Sequence, residues 1–140
     1  MKKIIQYVTL ILSLALWMLA CISPAIEAKA DSFHGKIWID GGSLLFSGFL
    51  GILMGLPSWY ANPAWFASLM LLAKGKFRSS FIWSISAFFL GMTSVILFVY
   101  PFPLVNEAHG CKINGLGLGF FLWMASMLVI AVGSWKLKQE

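Results

Sequence analysis

Charged side chains are the scarcest feature of this 140-residue sequence: they make up 11% of the residues, and only five are Asp or Glu. Soluble domains carry about 25% charged residues, whereas apolar residues make up 60% of this chain. So few acidic residues leave little material for an acid–base pair in a pocket, which an enzyme needs. The composition predicts an integral membrane protein without enzymatic activity.

The excess of basic over acidic residues, ten against five, does not indicate a nucleic-acid-binding protein. The basic residues lie in groups of two or three at the ends of apolar runs. This is the charge pattern of a membrane protein and not that of a basic groove with stacking aromatics. We therefore expect the lipid bilayer as the surroundings of the chain and no nucleic acid as a partner.

The chain has only two cysteines, Cys21 and Cys111, and neither belongs to a Cys-x-x-Cys pair or a zinc-ligand spacing. Both are expected on the outer side of the membrane, where the periplasm permits disulfides. A Cys21–Cys111 bridge and two unpaired thiols are therefore both open.

A metal site could in principle form from the alternating residues Glu107, His109 and Cys111, with His34 or Asp31 added from another loop. Alternation over five loop residues arises easily by chance, so a polar loop before a helix is the favoured interpretation. We expect no metal and no cofactor.

Four stretches contain no charged residue, namely 4–26, 41–73, 79–106 and 113–135. Each exceeds the roughly 20 residues that cross a bilayer core of about 30 Å. Backbone groups in lipid must bond within their own segment, which leaves helices as the expected form. The predicted fold is an all-α membrane protein with a single transmembrane domain, 1–140, whose four helices span about 4–26, 41–73, 79–102 and 115–135.

The second predicted span is too long for one straight crossing, since its 33 residues would reach about 50 Å as a helix. Its interior contains two breaking sequences, Gly55-Leu56-Pro57 and Asn62-Pro63. Asn62 followed by Pro63 is the order of an N-cap and a first-turn proline. We therefore predict a kink or break near Pro57–Pro63.

The basic residues also predict the orientation. Four crossings put seven of them on one side, and the loops of the other side are nearly balanced in charge; the seven are Lys2, Lys3, Lys74, Lys76, Arg78, Lys136 and Lys138. The basic side is the cytoplasmic side. This predicts a multi-pass protein of the bacterial inner membrane with both termini in the cytoplasm. Trp83 and Trp135 would then lie at the inner interface and Tyr100 near the outer one.

The first 30 residues permit a second interpretation. Lys2 and Lys3, an apolar core and the sequence Ala28-Lys29-Ala30 resemble a cleavable signal peptide. The apolar core is longer than the usual 7–15 residues of such a signal, which favours a retained first span. Cleavage after Ala30 would also remove Cys21. A lipoprotein signal ending at Cys21 is a weaker alternative, because Leu19 is unusual before the cysteine.

Small residues recur on one face of three spans, as expected for helices that associate in lipid by close backbone approach. The steps of three and four residues place each set on one helical face. The three sets are Ser80, Ser84, Ala87, Gly91 and Ser94; Gly48, Gly51, Gly55, Ser58 and Asn62; and Gly115, Gly119, Ser126 and Gly133. Together they predict a tightly packed bundle.

Asn62 is the one strongly polar side chain on these faces, and its depth can be compared with that of Trp123. Asn62 lies 12 residues before Lys74, and Trp123 lies 13 residues before Lys136. Both are about 18–20 Å from the cytoplasmic end at 1.5 Å per residue. We therefore predict contact between Asn62 and Trp123. Pro63 frees the carbonyl of Trp59, which the Trp123 indole or the Asn62 amide could satisfy.

The same residues carry a resemblance. The segments Trp59-Tyr60-Ala61-Asn62-Pro63 and Gly119-Phe120-Phe121-Leu122-Trp123-Met124-Ala125-Ser126 resemble the signatures W-x-A-N-P and G-aromatic-x-L-W-x-x-S. These are shared by small, uncharacterised four-span proteins of the bacterial inner membrane. In those proteins a short basic turn follows the first signature, as residues 74–78 do here. The resemblance covers roughly residues 41–135 and implies a four-span fold without an activity.

These observations favour a non-enzymatic accessory or interaction protein that acts through helix contacts, with another membrane protein or further copies of the chain as partner. A small transporter or channel subunit is the first alternative, because transporters bind substrates at broken helices. Against it, no charged residue lies within a span, as ion coupling usually requires. A periplasm-facing thiol-redox or metal-handling protein, based on the two cysteines, is the second alternative.

Overall fold

Helices and one small sheet make up the part of the chain that the computed structural model describes, residues 1–30, 36–49, 57–98 and 111–139. The elements in chain order are α1 (Lys2–Ile22), β1 (Pro24–Ala30), β2 (Lys36–Asp40), α2 (Gly41–Ser47), a 3-10 helix (Pro57–Tyr60), α3 (Ala61–Ala73), α4 (Phe77–Met92) with a 3-10 extension (Thr93–Phe98), β3 (Cys111–Leu116) and α5 (Leu118–Gln139).

Three helices in the described residues are long and apolar enough to cross a membrane: Lys2–Ile22, Phe77–Ile96 and Leu118–Gln139. The predicted second span is different. It begins as the 7-residue α2 and resumes with a 3-10 turn and the 13-residue α3, each shorter than the roughly 20 residues of a full crossing. The break predicted near Pro57–Pro63 coincides with the 3-10 turn.

A three-stranded antiparallel sheet, in the order β2-β1-β3, corrects the expectation of an all-α chain. Ile26 and Ala28 of the central strand are buried, whereas Lys29 is exposed. Glu27, which forms a 2.8 Å ion pair with Lys36, alternates with the buried residues, and this period of two is typical of a strand. The length of an uncharged stretch does not reveal this alternation, so the strand was not predicted.

The sheet also moves one boundary in each of two predicted spans. Pro24 cannot continue a helix, because it has no N–H and its ring clashes with the preceding turn. α1 accordingly ends at Ile22 and not at residue 26. α5 begins at Leu118, so Gly115 lies in β3 and not on the small-residue face of α5.

Asp40 connects the sheet to α2 as an N-cap. The backbone N–H of Ser43 donates to Asp40 Oδ1 at 2.7 Å, and the Ser43 hydroxyl donates to Oδ2 at 3.0 Å. These two hydrogen bonds favour the ionised carboxylate and hold the pKa of Asp40 below its ordinary value. The cap fixes the direction in which the chain leaves the sheet.

Seven of the ten basic residues lie at the end of the bundle opposite the sheet. Gln6 of α1 donates to the carbonyl of Leu72 at the end of α3, at 2.7 Å. The Ser80 and Ser134 hydroxyls, 2.9 Å apart, join the start of α4 to the end of α5. Trp83 and Trp135 are 47% and 48% exposed, while Tyr100 lies outside the described residues. The start of α1 and the end of α5 therefore lie beside the Lys74–Lys76 turn.

The small residues of α4 face the interior, as predicted. Ser80, Ser84 and Ala87 have no exposed surface, Ser94 is 6% exposed, and Gly91 is buried. A Cβ built on Gly91 would lie 2.8 Å from Met124 Sδ and 3.3 Å from Trp123 Cζ3. α4 and α5 therefore approach closely because position 91 has no side chain.

Replacing Gly91 with leucine should destabilise the bundle by about 1–3 kcal/mol, the usual cost of overpacking. Met124 can move aside for one methyl group, but Trp123 is held by a hydrogen bond and leaves no room for a branched side chain. Thermal unfolding in detergent measures the effect. Ser86→Leu is the matched control, because Ser86 is exposed on the same helix. Equal melting temperatures for the two variants would contradict this close packing.

Buried hydroxyl groups join the helices in the interior. Ser13 of α1 accepts from the indole of Trp65 in α3 at 3.0 Å and donates to the carbonyl of Ser126 in α5 at 2.8 Å. Ser80 of α4 donates to the carbonyl of Ser68 in α3 at 2.7 Å. Among the described residues, every buried side-chain nitrogen or oxygen has a partner. Satisfied polar groups of this kind add directional contacts to packing in an apolar surrounding.

Candidate functional site

Asn62 is the centre of a polar cluster where three helical segments meet. Its side-chain oxygen accepts the indole N–H of Trp123 from α5 at 2.9 Å, and the indole N–H of Trp17 from α1 at a longer 3.4 Å. The structure thus brings together Asn62 and Trp123, as the depth comparison predicts. One amide of α3 connects α1 and α5.

The nitrogen of the same amide replaces a backbone hydrogen bond that Pro63 cannot make. Pro63 has no N–H, so the carbonyl of Trp59, four residues earlier, has no helical donor. Asn62 Nδ2 donates to this carbonyl at 3.3 Å. Asn62 is therefore not the N-cap that the sequence suggested, because α3 begins one residue earlier, at Ala61, after the 3-10 turn. Of the two predicted donors, the amide rather than Trp123 contacts the carbonyl.

Trp17 and Trp65 extend the cluster into the bundle, and the sequence interpretation missed both. Their rings stack with centroids 5.1 Å apart and planes 9° from parallel, and Trp65 has no exposed surface. The signal was present in the spacing of α1, where Thr9, Ser13, Trp17 and Ala20 step by four, four and three on one face.

A cavity of about 110 Å³ lies beside Asn62, between the bundle and the sheet. Its walls include the side chains of Trp17, Trp59, Phe120 and Trp123, and β1 closes it on the sheet side through Ala25 and Ile26. No Lys, Arg, His, Asp or Glu of the described part of the chain lines it. An ion without a counter-charge is costly to bury, so the cavity suits a neutral group.

The small residues predicted to pack on the second span line this cavity instead. Gly48, Ser58 and Asn62 are all part of its wall and are half-buried. A Cβ on Gly48 would lie 2.9 Å from Trp59 Cδ1, and the Trp59 indole donates to the carbonyl of Leu45 at 2.8 Å. Gly51 and Gly55 lie outside the described residues.

The two cysteines do not meet. Cys21 is a free thiol, half-buried in the cavity wall at the end of α1. Cys111 pairs through its backbone with Ala30, six residues along β1 from Pro24, or about 20 Å in an extended strand. A disulfide needs Cα atoms within about 7 Å. The bridge left open by the sequence is therefore not formed, because the sheet holds Cys111 at its far end.

The proposed metal ligands gain no support from the structure. Asp31, His34, Glu107 and His109 lie outside the described residues, as does the side chain of Cys111. Within residues 1–30, 36–49, 57–98 and 111–139, no group of three His, Cys, Asp or Glu side chains could hold a metal ion.

The cluster consists of an amide, indoles, hydroxyls and one thiol, and it presents no nucleophile beside a base within the described residues. Such groups can hold a helix junction or bind a neutral molecule, but they do not make an acid–base pair. No protein-family model, curated protein or solved structure matches the chain, so what the cluster can do follows from its own residues alone.

Proposed function

We propose that this chain is a non-enzymatic accessory or interaction protein of a membrane, which acts by presenting helix surfaces to another membrane protein. The close packing between the helices is the observation that carries this proposal. Buried serines with satisfied hydrogen bonds, and glycines at close contacts, fill the space between the helices. Outside this interior, α1 exposes a continuous apolar surface that includes Ile4, Ile11 and Ile22, each at least 68% exposed.

We further propose four crossings of a bacterial inner membrane, with α2, the 3-10 turn and α3 forming the second crossing together. Seven of the ten basic residues lie at the end of the bundle where α1 begins and α5 ends, and this supports a cytoplasmic location for both termini. α1 contributes Ser13 and Trp17 to the interior, and β1 is the middle strand of the sheet. Cleavage after Ala30 would remove both, which supports a retained first span.

The resemblance to small four-span bacterial membrane proteins remains part of the proposal. Its support is that the signature residues meet in one place: Trp59 and Asn62 from the first signature and Trp123 from the second share hydrogen bonds. Two signatures separated by about 60 residues would then describe one helix junction and not a reaction centre.

The native mass of the gently extracted, C-terminally tagged chain tests the proposal, together with the mass of the ejected subunit. We expect a full-length subunit bound to a different membrane protein, because α1 exposes an apolar surface that such a partner can cover. A subunit found alone or only in homo-oligomers would contradict the accessory role. A subunit shorter by 30 residues would contradict the four-crossing topology.

The cavity supports one alternative, a small transporter or channel subunit. It lies at the broken second crossing, where transporters bind their substrates, and Asn62 in its wall could orient a neutral solute. A homo-oligomer that encloses a polar path would favour this alternative. The redox alternative loses its basis within the described residues, because Cys21 is far from Cys111.

A further inference from the structure

A surface groove follows the seam between α1 and α5, toward the end of the bundle opposite the cavity. It has a volume of about 440 Å³, and its walls include Thr9 and Leu12 of α1 with Leu128, Val132, Gly133 and Lys136 of α5. Position 133 accepts only glycine, because a Cβ there would overlap the Thr9 side chain. The Thr9 hydroxyl donates to its own helix, to the Ile5 carbonyl at 2.7 Å, so the floor of the groove is apolar.

The length of the groove matches one leaflet of a bilayer. Along α5 it runs from Ala125 to Lys136, or about 16 Å at 1.5 Å per residue. Half of a hydrocarbon core of about 30 Å is about 15 Å. One acyl chain fits this length, whereas a full transmembrane helix would extend beyond the groove.

Charge is confined to one end of the groove. Lys136 is exposed and lies in its wall, and Lys2 lies one helical turn before Ile5 on the same face of α1. Neither α1 nor α5 contains an acidic residue. Among the described residues of α1 and α5, these two lysines therefore have no acidic neighbour to offset their positive charge, at the depth where a lipid headgroup begins.

From these three features we propose that the groove binds an anionic phospholipid of the basic-side leaflet, with one acyl chain against Thr9 and Gly133 and the phosphate between Lys2 and Lys136. The proposal rests on the membrane insertion proposed above. Bound lipid would fill the groove between α1 and α5, and it would make the surface offered to a partner depend on the lipid headgroup.

Native mass spectrometry of the full chain in detergent, with equal amounts of phosphatidylglycerol and phosphatidylcholine added, tests the site. We expect one phosphatidylglycerol to be retained in preference to phosphatidylcholine. Lys136→Gln should reduce this preference about fivefold, since a lysine near an anionic surface contributes roughly 1 kcal/mol. Lys74→Gln, a lysine of the same end that does not line the groove, is the control.

A second variant tests the acyl-chain part. Val132 is 54% exposed, so Val132→Trp should fill the groove without unfolding the bundle and should remove the retained lipid. Equal retention of both lipids, or equal loss in Lys74→Gln and Lys136→Gln, would overturn the proposal. A dimer that disappears in Val132→Trp would show a second copy in the groove and would also overturn it.

An alkaline wash of the membranes tests the proposed membrane insertion separately from the lipid site. A chain that stays with the membrane pellet after an alkaline wash, yet shows no lipid preference, keeps the proposed topology and loses only the lipid site. A chain released by the wash loses both.

Discussion

Replacing Gly119 with alanine should destabilise the bundle by about 1–3 kcal/mol, or lower its melting temperature by roughly 3–10 °C. A Cβ at this position would lie 2.7 Å from the Ser23 carbonyl oxygen, 3.0 Å from that of Ala20 and 3.2 Å from Ala25 Cα. All three atoms belong to the backbone, so the added methyl group cannot be accommodated by a side-chain rotation. The gain in helix propensity from glycine to alanine, about 1 kcal/mol at most, does not offset the displacement of α1.

Gly115→Ala is the matched control. The sequence put Gly115 and Gly119 on one small-residue face, four residues apart, which predicts similar effects for both. In the structure Gly115 lies in β3, and a Cβ there would make only ordinary contacts of 3.7–3.8 Å with the Glu27 side chain. Thermal unfolding of the two variants in the same detergent compares them. Equal melting temperatures would contradict the close approach of α5 to the end of α1.

Replacing Asn62 with leucine should be the largest effect of a polar substitution, about 0.6–2 kcal/mol, the range for hydrogen bonds between helices in membranes. The variant leaves three groups without their partner, namely the indole N–H of Trp17, the indole N–H of Trp123 and the carbonyl of Trp59. Polar groups stranded in an apolar surrounding cost more than the hydrogen bond itself, which favours the upper half of the range. Loss of the contacts should also shift the tryptophan fluorescence of the folded state.

Asn114→Leu serves as control, because it replaces the same side chain with the same residue type at an exposed position of β3. Unfolding should be followed by fluorescence and, independently, by circular dichroism. If Asn62→Leu proved more stable than the unchanged chain, the amide would not be a structural element. Asn62 would then serve to bind a ligand in the cavity, and this result would favour the transporter alternative.

The two substitutions also separate the candidate functions. An accessory protein with a structural Asn62 should lose partner binding in Asn62→Leu only to the extent that it loses stability. A subunit that binds a solute at Asn62 should lose activity in variants that still melt near the normal temperature. Measuring both quantities on the same preparations distinguishes these outcomes.

Much of the helical packing could be predicted from the sequence because it depends on spacing along one helix. Ser80, Ser84, Ala87 and Gly91 recur every three or four residues, and a helix turns such a recurrence into one buried face. The contact of Asn62 with Trp123 could be predicted for a similar reason. Two helices that run in the same direction and end at the same basic surface hold residues of equal depth at equal height.

The sheet and its consequences could not be read from the length of uncharged runs. Residues 24–30 form a strand only because β2 and β3 pair with it on both sides. β3 lies far along the chain from β1, so this pairing leaves no signal in the local sequence. The same pairing separates Cys21 from Cys111. Pro24, the first residue of the same strand, ends α1 four residues before the last residue of its predicted span.

By itself, the sequence determined that long apolar helices dominate, that one end is basic, that the second span breaks near Pro57–Pro63 and that small residues face inward on α4. These properties follow from composition and local periodicity, which act within a few helical turns. The tertiary structure alone decided that Trp17 joins Trp123 at Asn62, that Ser13 links three helices and that a groove opens between α1 and α5. Those features depend on side chains from segments more than 40 residues apart, whose meeting is set by the packing of the whole chain.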